Sequence, residues 1–515
     1  MRVLVTGGTG VVGTAAVRAL LAAGNQVRLF SRHAGEDAAR WQGEVETREG
    51  TVASSTEVEG IAEGCDAILH IAGIAEEHPP EATFEKINVD GTRNLFLEAQ
   101  RAGVQRFVYV SSLGAERGRS DYHASKRKAE DIVRAFPGEW LICRPGNVYG
   151  PGDEVVSFLL QLVRTSPTVP VIEGGDQPFQ PLYAEDLGAA LALAVSRRDL
   201  SGRVLLLTGP EVTTTHDLLD RLARLTGKDP LRVPVPAVLA SLGAQAASLL
   251  GVRVPLDQNK VDMLMEHNVI PPGELNALTD LLGVVPTPFD EGLRRLANSQ
   301  PEQLPDAGVG SLVRRLFYTP LRGVTRSPSD LFTEFRWRFV TLAPEATMGP
   351  AAEPVSEPRI EPGATLTLSL PLRGNVQVRV VELTGTSLTL VTVSGHPLAG
   401  SVTFRFLGEP GLDLRFEVEA VERAATLPDA LSMASIGQLL QGWNWSTLVE
   451  RTATALGAPP PIDVRTDVQT LTDEEARLIH ESLQRKVDAL ARAGEPDLRE
   501  EARERVAGAV AVRIM

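Results

Sequence analysis

Short apolar runs alternate with helical periodicity over the first 150 positions. Val3–Thr6, Val27–Phe30, Val45–Arg48, Ala67–Ile71 and Arg106–Val110 read as strands. Thr14–Ala23, closed by Gly24, and Val89–Arg101 carry the i, i+3, i+4 spacing of helices. Strands apolar on both faces and separated by helices predict a doubly wound α/β fold, a parallel sheet covered on both sides. The alternation weakens after Asn147, as expected of a small substrate lobe built onto such a core.

The pattern changes class further on. Asn298–Gly310 lacks periodicity, and Ala343–Gly363 holds five prolines that forbid a helix. Ala364–Leu370, Val376–Leu383, Ser387–Val393, Val402–Leu407 and Leu412–Glu422 then predict five strands, and Ser435–Leu456 a long helix. Two charged helices are expected at Asp473–Ala493 and Leu498–Val510. The expected division is 1–300 for the α/β domain with its substrate lobe, 301–363 for a linker and basic-aromatic connecting segment, and 364–515 for an α+β domain with an antiparallel sheet and charged tail. Leu312–Val340 interleaves six arginines with Phe317, Tyr318, Phe332, Phe335, Trp337 and Phe339. Packing between units is the favoured reading of that segment, peripheral membrane contact the other. Pro236–Gly251 is expected to form an apolar helix of the substrate lobe.

Composition narrows the function. The 515 residues carry 51 Lys+Arg against 66 Asp+Glu, a net charge of −15, which argues against nucleic acid as a partner. Cys65 and Cys143 cannot make a disulfide framework, and no apolar run reaches the ~20 residues of a membrane span. A cytoplasmic protein is expected, with no metal, since neither cysteine has ligand-spaced partners.

The chemistry concentrates in two places. Thr6-Gly7-Gly8-Thr9-Gly10-Val11-Val12-Gly13 lies between the first strand and the first helix. Glycines there let a diphosphate approach the backbone, and the helix end offers N–H groups and a positive dipole. The second strand ends in Ser31-Arg32-His33, where an NAD-preferring site would place a carboxylate for the ribose hydroxyl. Arg32 suits a 2′-phosphate instead, so NADP is expected over NAD. Tyr122 and Lys126, four apart, share one helical face, and a neighbouring ammonium is expected to lower the phenol's pKa for proton exchange with a substrate oxygen. Ser111 and Ser112 end the preceding strand within reach of the same oxygen. His123 is expected to point off that face. His70 reads as a packed histidine, and His396, in SGHPLAG, as a turn residue.

Together the Thr6–Gly13 loop, Asp66–Gly73, Asn88–Leu95, Val108–Ser112, Tyr122–Lys126 and Arg144–Gly150 resemble the extended and atypical short-chain dehydrogenase/reductases, the NAD-dependent epimerase/dehydratase-like proteins. The resemblance covers residues 1–300. It implies a Rossmann-type sheet and a catalytic triad of Ser112, Tyr122 and Lys126 acting on a carbonyl or secondary alcohol of a small-molecule substrate. It places Ala72, Gly73, Asn88, Ser111 and Pro145 on the cofactor side with Thr6, Gly7, Gly10, Val11, Val12, Gly13, Ser31 and Arg32. Asn147, Gln180 and Tyr183 fall on the substrate side. Thr51 stands where the family often has an aspartate against the adenine. The nine residues between Ser112 and Tyr122 lack the insertion usual in sugar-nucleotide epimerases, which resembles the compact members, among them a cofactor-holding subunit of respiratory complex I. A non-catalytic, nucleotide-bound sensor or scaffold is therefore the alternative to an oxidoreductase. The C-terminal pattern weakly resembles the helix-grip proteins, START and polyketide-cyclase-like, which implies an apolar ligand or a partner there.

Overall fold

The computed structural model describes residues 1–41, 43–118, 120–236, 266–342, 353, 360–370, 374–432 and 438–514. Seven parallel strands form the first sheet: β1 (Arg2–Thr6), β2 (Gln26–Ser31), β3 (Val45–Glu49), β4 (Ala67–His70), β5 (Arg106–Val110), β6 (Glu139–Pro145) and β7 (Arg203–Leu207). Their order is β7-β6-β5-β4-β1-β2-β3. The order reverses direction at β1, and the crevice beyond the strand ends at such a switch point is where α/β sheets bind ligands. Around the sheet lie α1 (Val11–Ala22), α2 (Gly91–Arg101), α3 (Asp121–Arg134), α4 (Val155–Thr165) and α5 (Ala184–Ser196). Val3, Val5, Val17, Leu20, Leu69, Val108 and Leu187 share one buried cluster on one side of the sheet, and Leu4, Ile68, Leu95, Phe107 and Ile142 another. Both faces are dry, as the unbroken apolar runs require.

The second sheet is antiparallel: β8 (Val309–Pro320), β9 (Thr365–Leu370), β10 (Gly374–Leu383), β11 (Ser387–Thr392), β12 (Leu398–Leu407), β13 (Arg415–Ala424) and β14 (Arg465–Thr470), in the order β9-β10-β11-β12-β13-β8-β14. Two helices pack on it, α6 (Pro328–Leu342) and α7 (Gln438–Ala455). Phe335, Phe404, Phe406, Phe416 and Trp445 fill the space between sheet and helices.

Three expectations are corrected here. The segment 301–363 does not only connect, because β8 is an interior strand between β13 and β14. Its aromatics Phe317, Phe332, Phe335 and Phe339 are buried, while Arg314 and Arg315 pair across the ladder with Glu419 and Glu422. β14 is a second strand missing from the sequence reading; all six of its residues are exposed, so it shows no apolar alternation. The two charged helices are one, α8 (Asp473–Ile514), which runs through Pro496. Pro236 is exposed, and the rest of the Pro236–Gly251 segment lies outside the described residues, as does most of Ala343–Gly363. Among the described residues no helix is long and apolar enough to cross a membrane.

α8 ties the two sheets together. Leu483 packs with Leu304, Val381 and Val391 of the second unit, and Lys486 pairs with Glu382 at 2.6 Å. Further along, Glu495 accepts two hydrogen bonds from Arg18 of α1, at 3.0 and 3.2 Å, and Arg18 also reaches Glu185 of α5 at 2.6 Å. Arg505 pairs with Asp186, and Ala509 joins the core of the first unit. Arg18 and Glu495 are 5% and 3% exposed, so this anchor is a desolvated ion pair.

Candidate active site

The first-sheet crevice is a cleft of about 1980 Å³, bounded on one side by Leu490, Gly494, Leu498 and Ala502 of α8. Its floor is the glycine loop. Gly7 has φ +70°, and a Cβ there would sit 2.7 Å from the Ala72 backbone. A Cβ on Gly13 would lie 2.0 Å from the Gly7 carbonyl oxygen, so loop and helix can touch only through glycine. Gly10 meets nothing closer than 3.8 Å, which leaves open space above the loop. These positions fit a dinucleotide diphosphate at the N-terminus of α1. Val11, Val12, Ser31, Arg32, Ala72, Gly73 and Pro145 line the same cleft.

Thr6 and Asn88 do not line the cleft. Thr6 Oγ1 bonds His70 Nδ1 at 2.7 Å and accepts from the Ala72 N–H. His70 is packed as expected, and burial drives its pKa down to about 3. Asn88 lies in a single π-helical turn ahead of α2. Its side chain bonds both backbone groups of Ile74, at 2.9 and 3.1 Å, and donates to Ser125 of α3 at 2.9 Å, pinning the loop after β4 to α3. Gln180 is corrected likewise: it donates to the Gly209 carbonyl and accepts from the Ile270 N–H instead of lining the substrate side. Asn147 and Tyr183 do line the cleft. Asn147 Oδ1 is buried with no hydrogen-bond partner among the described residues.

Ser112, Tyr122 and Lys126 converge on the cleft. Ser120 caps α3 through the His123 N–H, which starts the helix one residue before Tyr122 and fixes both side chains relative to β5. The expected pKa effect is reversed. Burial pushes the Tyr122 phenol up to about 12, with only the Ser112 hydrogen bond pulling against it. Lys126 is itself depressed to about 8 by burial, opposed by Glu130, and its Nζ donates to the Val110 carbonyl at 3.0 Å. Desolvation outweighs the ammonium that the spacing suggested. A Cβ on Gly73 would lie 3.0 Å from Lys126 Nζ, so the loop passes directly over the ammonium. Ser111 also lines the cleft; its hydroxyl donates to Glu130 Oε1 at 2.6 Å, and Arg144 holds that carboxylate with two bonds of 2.8 Å.

His123 is the residue the sequence reading set aside. Its Nε2 lies 3.1 Å from Ser112 Oγ, and its Nδ1 faces Glu266 at 2.5 Å and Ser120 Oγ at 3.0 Å. No local signal linked Glu266, 143 residues away along the chain, to this place. Among the described residues, no group of three or more His, Cys, Asp or Glu could hold a metal.

Sheet order, switch-point crevice and glycine loop define a nucleotide-binding α/β protein of the short-chain dehydrogenase/reductase type. A family model described as the NAD dependent epimerase/dehydratase family matches residues 3–206. The ceramide reductase of Caulobacter vibrioides is 35% identical over 243 residues, 46% of this chain and 75% of that protein. The sterol demethylase protein B of Methylococcus capsulatus is 32% identical over 264 residues, 46% of this chain and 78% of its own length. Subunit 9 of the NADH dehydrogenase [ubiquinone] 1 alpha subcomplex of Arabidopsis thaliana is 27% identical over 284 residues, covering 53% and 69%. The chain belongs to the NAD dependent epimerase/dehydratase family. The family model ends at residue 206, so the second sheet lies beyond it.

Proposed function

We propose that the protein is an NADP-dependent oxidoreductase that interconverts a secondary alcohol and a carbonyl on a lipid-class substrate, with Ser112, Tyr122 and Lys126 as its working residues. The observation that carries the reading is the convergence of these three side chains on the cleft whose floor is the Gly7–Gly13 loop. Three further features bear on the substrate. The cleft exceeds the ~300–1,000 Å³ usual for a single small molecule. Val156, Leu159, Phe179, Leu218, Leu490 and Leu498 also contribute to its walls, and two relatives carry names that refer to ceramide and sterols. The unpaired Asn147 Oδ1 suits a hydroxyl or amide N–H on that substrate or the cofactor.

The bound dinucleotide supplies or accepts the hydride. Gly7, Gly10 and Gly13 would admit its diphosphate, and Arg32, one residue beyond β2, would hold a ribose phosphate. Tyr122, protonated at neutral pH, would hold a proton at Oη for the substrate oxygen, with Ser112 beside it in the cleft. Lys126 would hold the ribose of the cofactor beside Gly73. The decisive experiment is Tyr122→Phe in the full chain. Turnover should fall by about 10²–10⁴ while NADPH affinity, measured by calorimetry, stays within a factor of two or so of wild type. Unchanged turnover removes Tyr122 from the chemistry.

A second reading, a nucleotide-holding scaffold, draws on the similarity to the NADH dehydrogenase subunit and on the anchoring of α8 against α1. Nucleotide that stays bound to purified protein and is never oxidised or reduced with sterols, long-chain ketones or long-chain alcohols would favour it.

A further inference from the structure

Gly114 and Gly118 build a niche for one imidazole. A Cβ on Gly114 would lie 2.4 Å from His123 Cε1 and 2.5 Å from Nε2. A Cβ on Gly118 would lie 2.4 Å from Nδ1 and 2.6 Å from a Glu266 carboxylate oxygen. Two glycines therefore make the room in which His123, 2% exposed, reaches Ser112 Oγ with one nitrogen and a carboxylate with the other. Glu266 is held in turn, its second oxygen accepting from the Ser120 N–H at 2.9 Å.

The direction of the hydrogen bonds follows from this geometry. Nδ1 has a Glu266 oxygen at 2.5 Å and Ser120 Oγ at 3.0 Å, and a carboxylate so close favours the ring proton on Nδ1. A carboxylate on Nδ1 leaves Nε2 of the neutral ring as an acceptor. The Ser112 hydroxyl then donates to Nε2, and its oxygen is free to accept from the Tyr122 phenol, which lines the same cleft. The chain Tyr122, Ser112, His123, Glu266 is thus oriented to draw a proton away from the cleft.

We infer that His123, backed by Glu266, is a positioning residue that takes up, through Ser112 and Tyr122, the proton leaving a substrate hydroxyl. The inference rests on the oxidoreductase reading above. In the oxidative direction the substrate O–H bond breaks and its proton goes to Tyr122 Oη. The Tyr122 proton passes to Ser112 Oγ, and the Ser112 proton passes to His123 Nε2. The carbon–hydrogen bond breaks in the same event, its electron pair leaving as hydride with the oxidised dinucleotide while the C=O bond forms. The imidazolium produced faces the Glu266 carboxylate, and reduction runs the same chain backwards. The relay also answers the high pKa of Tyr122: a phenol held protonated at neutral pH needs somewhere to send its proton before it can receive another. The groups facing the ring are Glu266, which raises its affinity for a proton, Lys126, which lowers it, and Tyr122, whose ring centroid lies 5.1 Å away; burial holds the imidazole neutral.

The test uses the full chain with NADP⁺ and sec-hexadecanol, followed from about pH 5 to 9 across the usual histidine range. His123→Gln places an amide near Nε2 that still accepts from Ser112 but cannot take the proton. Its kcat should fall about a hundredfold, the acidic limb of the wild-type profile should vanish, and the KM for NADP⁺ should not change. Glu266→Gln should move that limb to lower pH, because the imidazolium loses its counter-charge. An unaltered limb in both variants overturns the relay. Nitrogen-15 NMR of histidine-labelled wild type needs no substrate: a His123 ring protonated on Nδ1 and bare at Nε2 near pH 7 is expected, and the opposite tautomer overturns the inference even where no turnover is seen. Wild type that binds NADP⁺, shows the expected tautomer and oxidises no alcohol instead defeats the oxidoreductase reading and, with it, the proton uptake.

Discussion

Arg32→Ala is the sharpest probe of cofactor choice. Arg32 lies one residue beyond β2 on the cleft wall and is exposed, with Gly50, Thr51 and Val52 beside it in the lining. A guanidinium on a phosphate gives charge-assisted hydrogen bonds worth about 1.5–3 kcal/mol when well formed. Exposure and salt reduce that, so the lower end applies, roughly 1.4 kcal/mol or tenfold in Kd at ~0.15 M salt. NADH, lacking the 2′-phosphate, should lose almost nothing. Calorimetry of wild type and Arg32→Ala with both reduced cofactors, at low and physiological salt, gives four affinities per protein. The NADPH penalty should grow as salt is lowered, and the NADH affinity should stay flat. Equal weakening of both cofactors, or wild type binding NADH as tightly as NADPH, refutes the argument and returns the site to NAD.

Two further outcomes test the physics of burial. Lys126 is held at about 8 against roughly 10.4 in an unfolded chain, so between those values the unfolded state binds the extra proton and stability rises with pH. Lys126→Met removes that term. Urea unfolding should show the variant gaining on wild type near pH 7 by on the order of 3 kcal/mol, with the gap narrowing towards pH 10; a pH-independent gap would mean the ammonium is not desolvated. Glu495→Ala leaves Arg18 with one carboxylate and should cost about 3 kcal/mol in the same assay. It should also free α8 for proteolysis ahead of the first sheet, and equal protection of α8 in both proteins would contradict the anchoring role.

Much of the first unit was legible because its strands are buried on both faces and its loops carry glycines with one conformational purpose. The five strands Thr365–Leu370 to Arg415–Ala424 are visible for a different reason, their apolar residues being bounded by turn residues. β8 was hidden by its arginines, which look like a solvated run until Glu419 and Glu422 are set opposite them. β14 has no apolar face at all. At the site, types and spacing located Tyr122 and Lys126 but gave the wrong sign for the phenol, since burial does not show in an i,i+4 pair. Position along the chain does not show that the Gly209 carbonyl and the Ile270 N–H already occupy the Gln180 amide. His123 was dismissed on helical phase alone, which ignores that a glycine-bearing loop can bring partners round to a second face.

The ion pair between Arg18 and Glu495 gives the crevice and the distal sheet a shared fate. The helix whose amino end would meet the diphosphate also bears, on its flank, the grip of a rod reaching the other unit. Whatever fixes the position of α8 therefore also fixes one flank of α1, at 3.0 and 3.2 Å through Glu495.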